Sequence, residues 1–311
     1  MLNLYDKLPI ITIITPSLNR AKFIEEAIKS VLNQDYPHVE HIIMDGGSTD
    51  DTLDVLARYP HLHVVSEPDN GIYDAINKGL KLASGDIIGL LNTDDRYESN
   101  IFKKIIAVFE ESPEIKALVG SANICQKNEQ GRWVRINTIP SIPRNLLLQR
   151  STSGVPIINA WFFRKSVFAE LHGFCSEYSI SADRDFLIRY AINGLPYRSI
   201  DKVFYSYLQH PESLTFAAEF DPEGVSGVEN RAIAEKNLKD SELSPTYRNL
   251  IQSWHSDLTA RQFLAAMRRK RLKPAAKYLQ IGWRHNIKWP IYVISRIVRG
   301  TQRRITMSIP N

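Results

Sequence analysis

The sequence predicts an α/β protein with a mostly parallel, doubly wound sheet, followed by an all-helical extension. Two observations predict the sheet. Short apolar, β-branched runs alternate with amphipathic stretches of about ten residues, the pattern of βαβ units. Each run then delivers polar, chemistry-bearing residues to its carboxyl end, where ligands of open α/β sheets collect. A third observation predicts the extension: beyond about residue 220 the strand signals stop and the charge balance inverts.

The elements follow in order. Ile10-Ile11-Thr12-Ile13-Ile14 reads as a buried strand. Phe23, Ile24, Ala27, Ile28, Val31 and Leu32 fall at helical spacing. Ile42-Ile43-Met44 is the next strand, ending in the turn Asp45-Gly46-Gly47-Ser48. Ser48 and Asp51 are spaced as a capping box, which places a second helix there. Residues 62–65 read as strand, 73–83 as helix and 87–91 as strand. After Asp95 the rhythm loosens. Residues 101–111 read as helix, and 117–163 as irregular strands and loops with 133–136 one strand. Residues 166–171 and 183–193 read as short helices and 203–208 as strand. Four helices close the chain, over 228–238, 246–271, 275–284 and 289–298. The boundary near 220 divides a domain of residues 1–220 from an extension of residues 221–311.

Composition narrows the class. A hydrophobic share of 43% supports a real core and argues against general disorder. Cys125 and Cys175 are the only cysteines, with no CxxC, which argues against a disulfide scaffold or thiolate zinc site and fits a reducing compartment. Residues 1–9 lack a long apolar run, so no signal peptide is expected. No uninterrupted apolar stretch approaches the ~20 residues of a spanning helix.

Leu90-Leu91-Asn92-Thr93-Asp94-Asp95 is an apolar strand running into two carboxylates. Hard divalent cations bind through one or two such groups plus substrate phosphates. The bland alternative is a helix cap. Three further segments line up with it: Thr15-Pro16-Ser17-Leu18-Asn19-Arg20, Asp45 to Thr52, and Asp69 to Gly79. In this order and spacing the four resemble the family 2 inverting glycosyltransferases of the GT-A fold, especially bacterial enzymes that build surface polysaccharides. The resemblance covers roughly residues 9–215.

That resemblance implies a site. Thr15, Pro16 and Asn19 would line the nucleotide pocket, and Asp45 would accept the N3–H of uracil. Asn77 and Lys78 fall where many relatives carry Arg-Asn-x-Gly, and Lys78 offers the positive charge. Asp94 would sit near the ribose. Asp95 would bind a divalent cation, Mn²⁺ or Mg²⁺, with Asp94 and His210 as further ligands. Asn92 stands where many members have Asp, which weakens or removes one ligand. Asp183, with Asp185 second, matches the acidic segment that supplies the base for the acceptor hydroxyl. One carboxylate suffices for a single displacement; a retaining mechanism needs a nucleophile as well. Trp161, Phe162 and Phe163 read as core, with Trp161 alternatively a sugar-stacking wall.

From Leu258 to Asn311 there are 13 Lys and Arg and no Asp or Glu, leaving 26 bases against 34 acids in the remainder, a net of −8. Basic residues alternate with Trp, Tyr and aliphatic residues over 260–304. This suits an anionic membrane interface, or else a face packed on the body or a partner. The expected partners are a nucleotide-sugar donor and a saccharide or polyprenyl-linked acceptor, at the cytoplasmic face of the cell membrane. No nucleic-acid module is recognisable, and none is expected as partner. Two rivals remain: a sugar nucleotidyltransferase, which would want a Gly-rich basic loop after the first strand, and a non-enzymatic adaptor acting through the tail.

Overall fold

The computed structural model describes residues 8–154, 157–211, 213 and 221–307, with side chains as far as residue 299. The chain divides into two compact units, Met1–Ser151 with Val155–Ser213, and Thr152–Gly154 with Leu214–Asn311. The boundary expected near residue 220 falls in 214–220, outside the described residues.

The first unit is a mixed α/β sheet with flanking helices. Its strands are β1 (Ile11–Ser17), β2 (Val39–Asp45), β3 (His63–Ser66), β4 (Ile87–Leu90), β5 (Arg96–Tyr97), β6 (Ala117–Lys127), β7 (Trp133–Ile139), β8 (Trp161–Arg164) and β9 (Tyr197–Leu208). They run in the order β3-β2-β1-β4-β8-β6-β9-β5, with β7 paired to β6. The β3-β2-β1-β4 half is parallel throughout. Every residue of β1 is buried, because helices cover both faces of a parallel strand. β8 then runs antiparallel to both β4 and β6, which returns β6 and its parallel partner β9 to the direction of β4. The carboxyl ends of β1, β2, β4 and β9 therefore share one edge.

Helices α1 (Ile24–Leu32), α2 (Thr52–Ala57) and α3 (Ile72–Leu82) connect the parallel strands. Ile24, Ala27, Ile28 and Val31 of α1 are buried at helical spacing, while Leu32 is exposed. The capping box expected of Ser48 and Asp51 does not form. Asp51 makes no side-chain cap, and Asp50 instead accepts from the Thr52 amide at 3.0 Å. The second half of the unit adds α4 (Phe102–Glu111), α5 (Leu147–Ser153), α6 (Ser166–Glu170) and α7 (Ala182–Ile192). Phe162, Phe102, Tyr97 and Phe204 pack together in the main core. Trp161 is 1% exposed and stacks on Phe163 at 5.6 Å, so it is core and offers no wall to a sugar.

The second unit is helical: α8 (Val225–Leu238), α9 (Pro245–Arg268), α10 (Leu272–His285) and α11 (Trp289–Met307). Ser244 caps α9 by accepting from the Tyr247 amide at 3.3 Å, with Pro245 in the first turn. The long α9 packs against the other three. Ala266, Ala275 and Tyr278 form a small core, with Phe263 and Ile281 against it.

Candidate active site

At the shared edge, the loop after β1 is laced to the loop after β2. Asn19 takes a left-handed conformation, φ 54°, where Asn is tolerated. Its Oδ1 accepts from the Thr49 amide at 2.8 Å, and its own amide donates to Ser48 Oγ at 2.8 Å. The Arg20 amide donates to Thr52 Oγ1 at 2.8 Å, and that of Ala21 to Asp50 at 3.2 Å. Thr15 is fully buried and its hydroxyl lies 3.0 Å from His41 Nε2; Pro16 is buried beside it. Burial lowers the His41 pKa to about 3, so this contact is between neutral groups.

Asp45 ends β2 and is 1% exposed. Its Oδ2 accepts from the amides of Gly47 and Ser48 and from Ser66 Oγ, at 3.1, 2.9 and 2.7 Å. Its Oδ1 accepts from Ser48 Oγ at 2.5 Å. The Asp69 carboxylate packs close to Gly46, where a Cβ would lie 2.5 Å from its Oδ2.

Asp94 and Asp95 are adjacent but have different surroundings. Asp95 is 1% exposed. Its Oδ1 accepts from the Leu208 amide at 2.8 Å, and its Oδ2 accepts from Tyr205 Oη at 2.5 Å and Asn92 Nδ2 at 3.1 Å. Burial first, and the Asp94 charge second, push its pKa well above the usual carboxylate range. Asp95 thus ties the β4 loop to β9. Each oxygen of this carboxylate, the one expected to hold the cation, accepts hydrogen bonds within the protein, one on Oδ1 and two on Oδ2. Asp94 is partly exposed, and its Oδ2 lies 2.9 Å from His210 Nε2, across 116 residues of sequence. His210 is steadied by Phe23, whose ring stacks on it at 4.9 Å and 28°.

Asp183 and Asp185 lie in the first turn of α7. Asp183 is partly buried. Burial raises its pKa to about 6, against the opposing pull of the Arg184 charge and of the Arg184 amide, which donates to Asp183 Oδ1 at 2.7 Å. Asp185 is fully buried and paired with Arg189 Nε at 2.7 Å. The Arg189 guanidinium also donates to the carbonyls of Leu171 and Gly173. Asn77 completes this clamp: its Nδ2 donates to the Phe174 carbonyl at 2.8 Å, and its Oδ1 accepts from the Phe174 amide at 2.9 Å. Gly173 turns with φ 65°, which favours glycine. Tyr73 Oη donates to the Ile180 carbonyl at 3.0 Å. Helix α3, which starts at the same edge, therefore positions the chain leading to Asp183. Lys78 points elsewhere, paired with Glu67 at 3.0 Å and Asp74 at 3.6 Å and donating to the Pro68 carbonyl at 2.8 Å.

Residues 12–171 match the sequence profile of glycosyl transferase family 2. An uncharacterized glycosyltransferase of Mycobacterium tuberculosis is 31% identical over 191 residues, covering 59% of this chain and 70% of that protein. The chain belongs to glycosyl transferase family 2. This glycosyltransferase is also similar to Escherichia coli chondroitin synthase, 27% identical over 244 residues that cover 77% of this chain and 35% of the synthase. Among solved structures, Staphylococcus aureus TarS 1–349 with UDP-GlcNAc superposes with a TM-score of 0.61 at 20% identity, covering 91% of this chain and 81% of that one. The mannosyltransferase PcManGT of Pyrobaculum calidifontis, solved with GDP-Man and Mn²⁺, gives a TM-score of 0.61 at 20% identity, over 97% and 81%. These likenesses establish the GT-A fold of the family 2 chain.

Three positioning residues of this glycosyltransferase escape a reading by motif: Phe23 beneath His210, Tyr73 at the approach to Asp183, and Tyr205 on Asp95. Each is an aromatic residue in or at the start of a helix or in a strand, where pattern alone assigns it to the core. A second cluster of ligand-type atoms lies in the helical unit, where Glu235, His255 and His285 converge within 4.8 Å. There the guanidinium of Arg231 already pairs with Glu235 at 2.5 Å, and burial lowers the pKa of His255. A cation placed there would face Arg231 across the same carboxylate. The cluster fits a buried polar network better than a metal centre.

Proposed function

We propose that this glycosyltransferase is an inverting, divalent-cation-dependent enzyme. It would move a sugar from a nucleoside-diphosphate donor, a UDP-sugar, to a hydroxyl of a saccharide or polyprenyl-linked acceptor in bacterial surface-polysaccharide assembly. The observation that carries this reading is the meeting of Asp94 and His210 at 2.9 Å on the carboxyl edge of the parallel strands. A carboxylate oxygen and an imidazole nitrogen, both partly open, form a donor set suited to Mn²⁺ once diphosphate oxygens join it. The imidazole favours a transition metal over Mg²⁺. On this reading Asp94 and His210 are the ligands and Asp95 fixes their loop. When bound, the cation neutralises charge that develops on the departing diphosphate.

The rest is the work of the chain's own groups. Asp45 holds the Gly46–Ser48 turn, and the second lone pair of its Oδ1 accepts the imide N–H of the base. The laced loops of Asn19 and Thr49 keep that pocket formed without the ligand. Asp183 takes the proton of the acceptor hydroxyl as its oxygen attacks C1 of the donor sugar. The C1–O bond to the diphosphate breaks, its electron pair leaves with the nucleoside diphosphate, and the anomeric centre inverts. A base with pKa about 6 is ionised at neutral pH yet is a stronger proton acceptor than an ordinary carboxylate. Asp185 and Arg189 position the loop that supports it. UDP and UDP-GlcNAc bound to TarS, and GDP-Man with Mn²⁺ bound to PcManGT, support the donor class and the cation.

The test is product analysis with Mn²⁺ and a panel of UDP-sugars on a polyprenyl-diphosphate-sugar acceptor, with anomeric configuration read by NMR. An inverted product, absent with Asp183→Asn, is expected. A retained anomer, or full activity in that variant, would overturn the mechanism.

A further inference from the structure

The second unit carries a surface that the transfer chemistry does not use. Helix α10 presents three adjoining faces. Ala275, Tyr278 and Gly282 are buried. Beside them Leu272, Ala276, Leu279 and Trp283 form an exposed stripe at i, i+4, i+7 and i+11. Next to the stripe come Lys273, Lys277 and Arg284, all exposed. The apolar line continues in Ile287, 79% exposed, and in Ile291 and Ile294 of α11, each 61% exposed. Solvent exposure of so many large side chains in one region marks an interaction surface.

Charge selects the occupant. Arg269 and Arg271 pair with Glu223, and Arg296 with Asp257. Among the described residues, Lys273, Lys277, Arg284 and Lys288 make no ion pair with an acid. Lys273, Lys277 and Arg284, beside the apolar stripe, are exposed and are not neutralised by an acid among the described residues. An interfacial tryptophan, an apolar stripe and flanking cations without acids match an anionic bilayer surface, with the acyl boundary taking the stripe and the headgroups the cations. No helix among the described residues is long and apolar enough to cross a membrane, so the contact lies in the interface plane.

We infer that α10 and the first turns of α11 dock this protein flat on an anionic lipid bilayer. This holds independently of the cation and base assignments.

Cosedimentation of the full chain with phosphatidylcholine vesicles, with or without phosphatidylglycerol, tests it, beside Trp283→Glu/Ile287→Glu and Lys273→Gln/Lys277→Gln/Arg284→Gln. Binding is expected to be at least roughly tenfold tighter to the anionic vesicles and to weaken in high salt. Both variants should lose it while keeping their circular dichroism and their transfer to a soluble acceptor. Equal binding to neutral vesicles, or binding unchanged in both variants, would overturn the inference. So would a concentration-dependent dimer abolished by the same glutamates without vesicle binding, since a second copy would then cover the stripe.

Discussion

At the residue scale, the three candidate aspartates have different surroundings: Asp94 and Asp95 follow β4, and Asp183 lies in the first turn of α7. Asp94 is partly exposed and meets His210; Asp95 is buried against Tyr205, Asn92 and the Leu208 amide. Asp95→Ala would strand a buried amide and a buried hydroxyl, at about 1–3 kcal/mol each. It should therefore lower the melting temperature by several degrees. Asp94→Ala should leave melting nearly unchanged while abolishing the response to Mn²⁺. Asp183 gives a signed pH prediction. Its folded pKa is about 6 against an ordinary 3.8, so the unfolded chain ionises first as pH rises. Stability is lost between those values and stays lost above them. Asp183→Asn should melt no lower than wild type at pH 8, with the two converging below pH 3.8. Activity should run the other way: kcat/KM of wild type should fall about tenfold per unit below pH 6, and the variant should lose roughly 10²–10⁴-fold. A destabilised Asp183→Asn protein at pH 8 would contradict the burial that poises the base.

At the element scale, α3 positions the chain that leads to Asp183. Asn77 grips the Phe174 backbone from both sides and Tyr73 holds Ile180. Asn77→Ala should cost about 1–3 kcal/mol in denaturant unfolding. It should also reduce kcat more than it weakens UDP binding, because the Asp183 side moves and the cation side does not. These elements also show what the sequence makes legible. The parallel half is readable because β1 and β4 are short, apolar and flanked by helices with clear periodicity. The mixed half is readable only in part: 133–136 and 203–208 read as strand and lie within β7 and β9, while β6 and β8 are not set apart from loops. β6 passes through Gly120-Ser121-Ala122-Asn123, small and polar residues whose burial is decided by neighbours distant in sequence. In β7, Val134 and Ile136 are exposed, so its apolar residues mark the strand but not a buried face. The candidate residues themselves were legible as motifs. The burial of Asp95 beside a partly exposed Asp94 was not, because it depends on Tyr205 and Leu208, more than a hundred positions away.

At the scale of the whole molecule, an acidic catalytic body and a basic helical extension share one chain, 34 acids lying entirely before residue 258. The body holds the donor edge, and the extension supplies the surface inferred to meet lipid. The central claim concerns the body: Asp94 and His210 assemble a cation site for a nucleoside diphosphate, and Asp183 serves the acceptor. It is tested most directly by calorimetric titration of UDP in Mn²⁺ and in EDTA, into wild type, Asp94→Ala and Asp183→Asn. The account predicts binding in Mn²⁺ that weakens by at least about tenfold in EDTA, survives in Asp183→Asn and is lost in Asp94→Ala. Equal affinity for UDP in Mn²⁺ and EDTA, or undiminished Mn²⁺-dependent binding in Asp94→Ala, would contradict it.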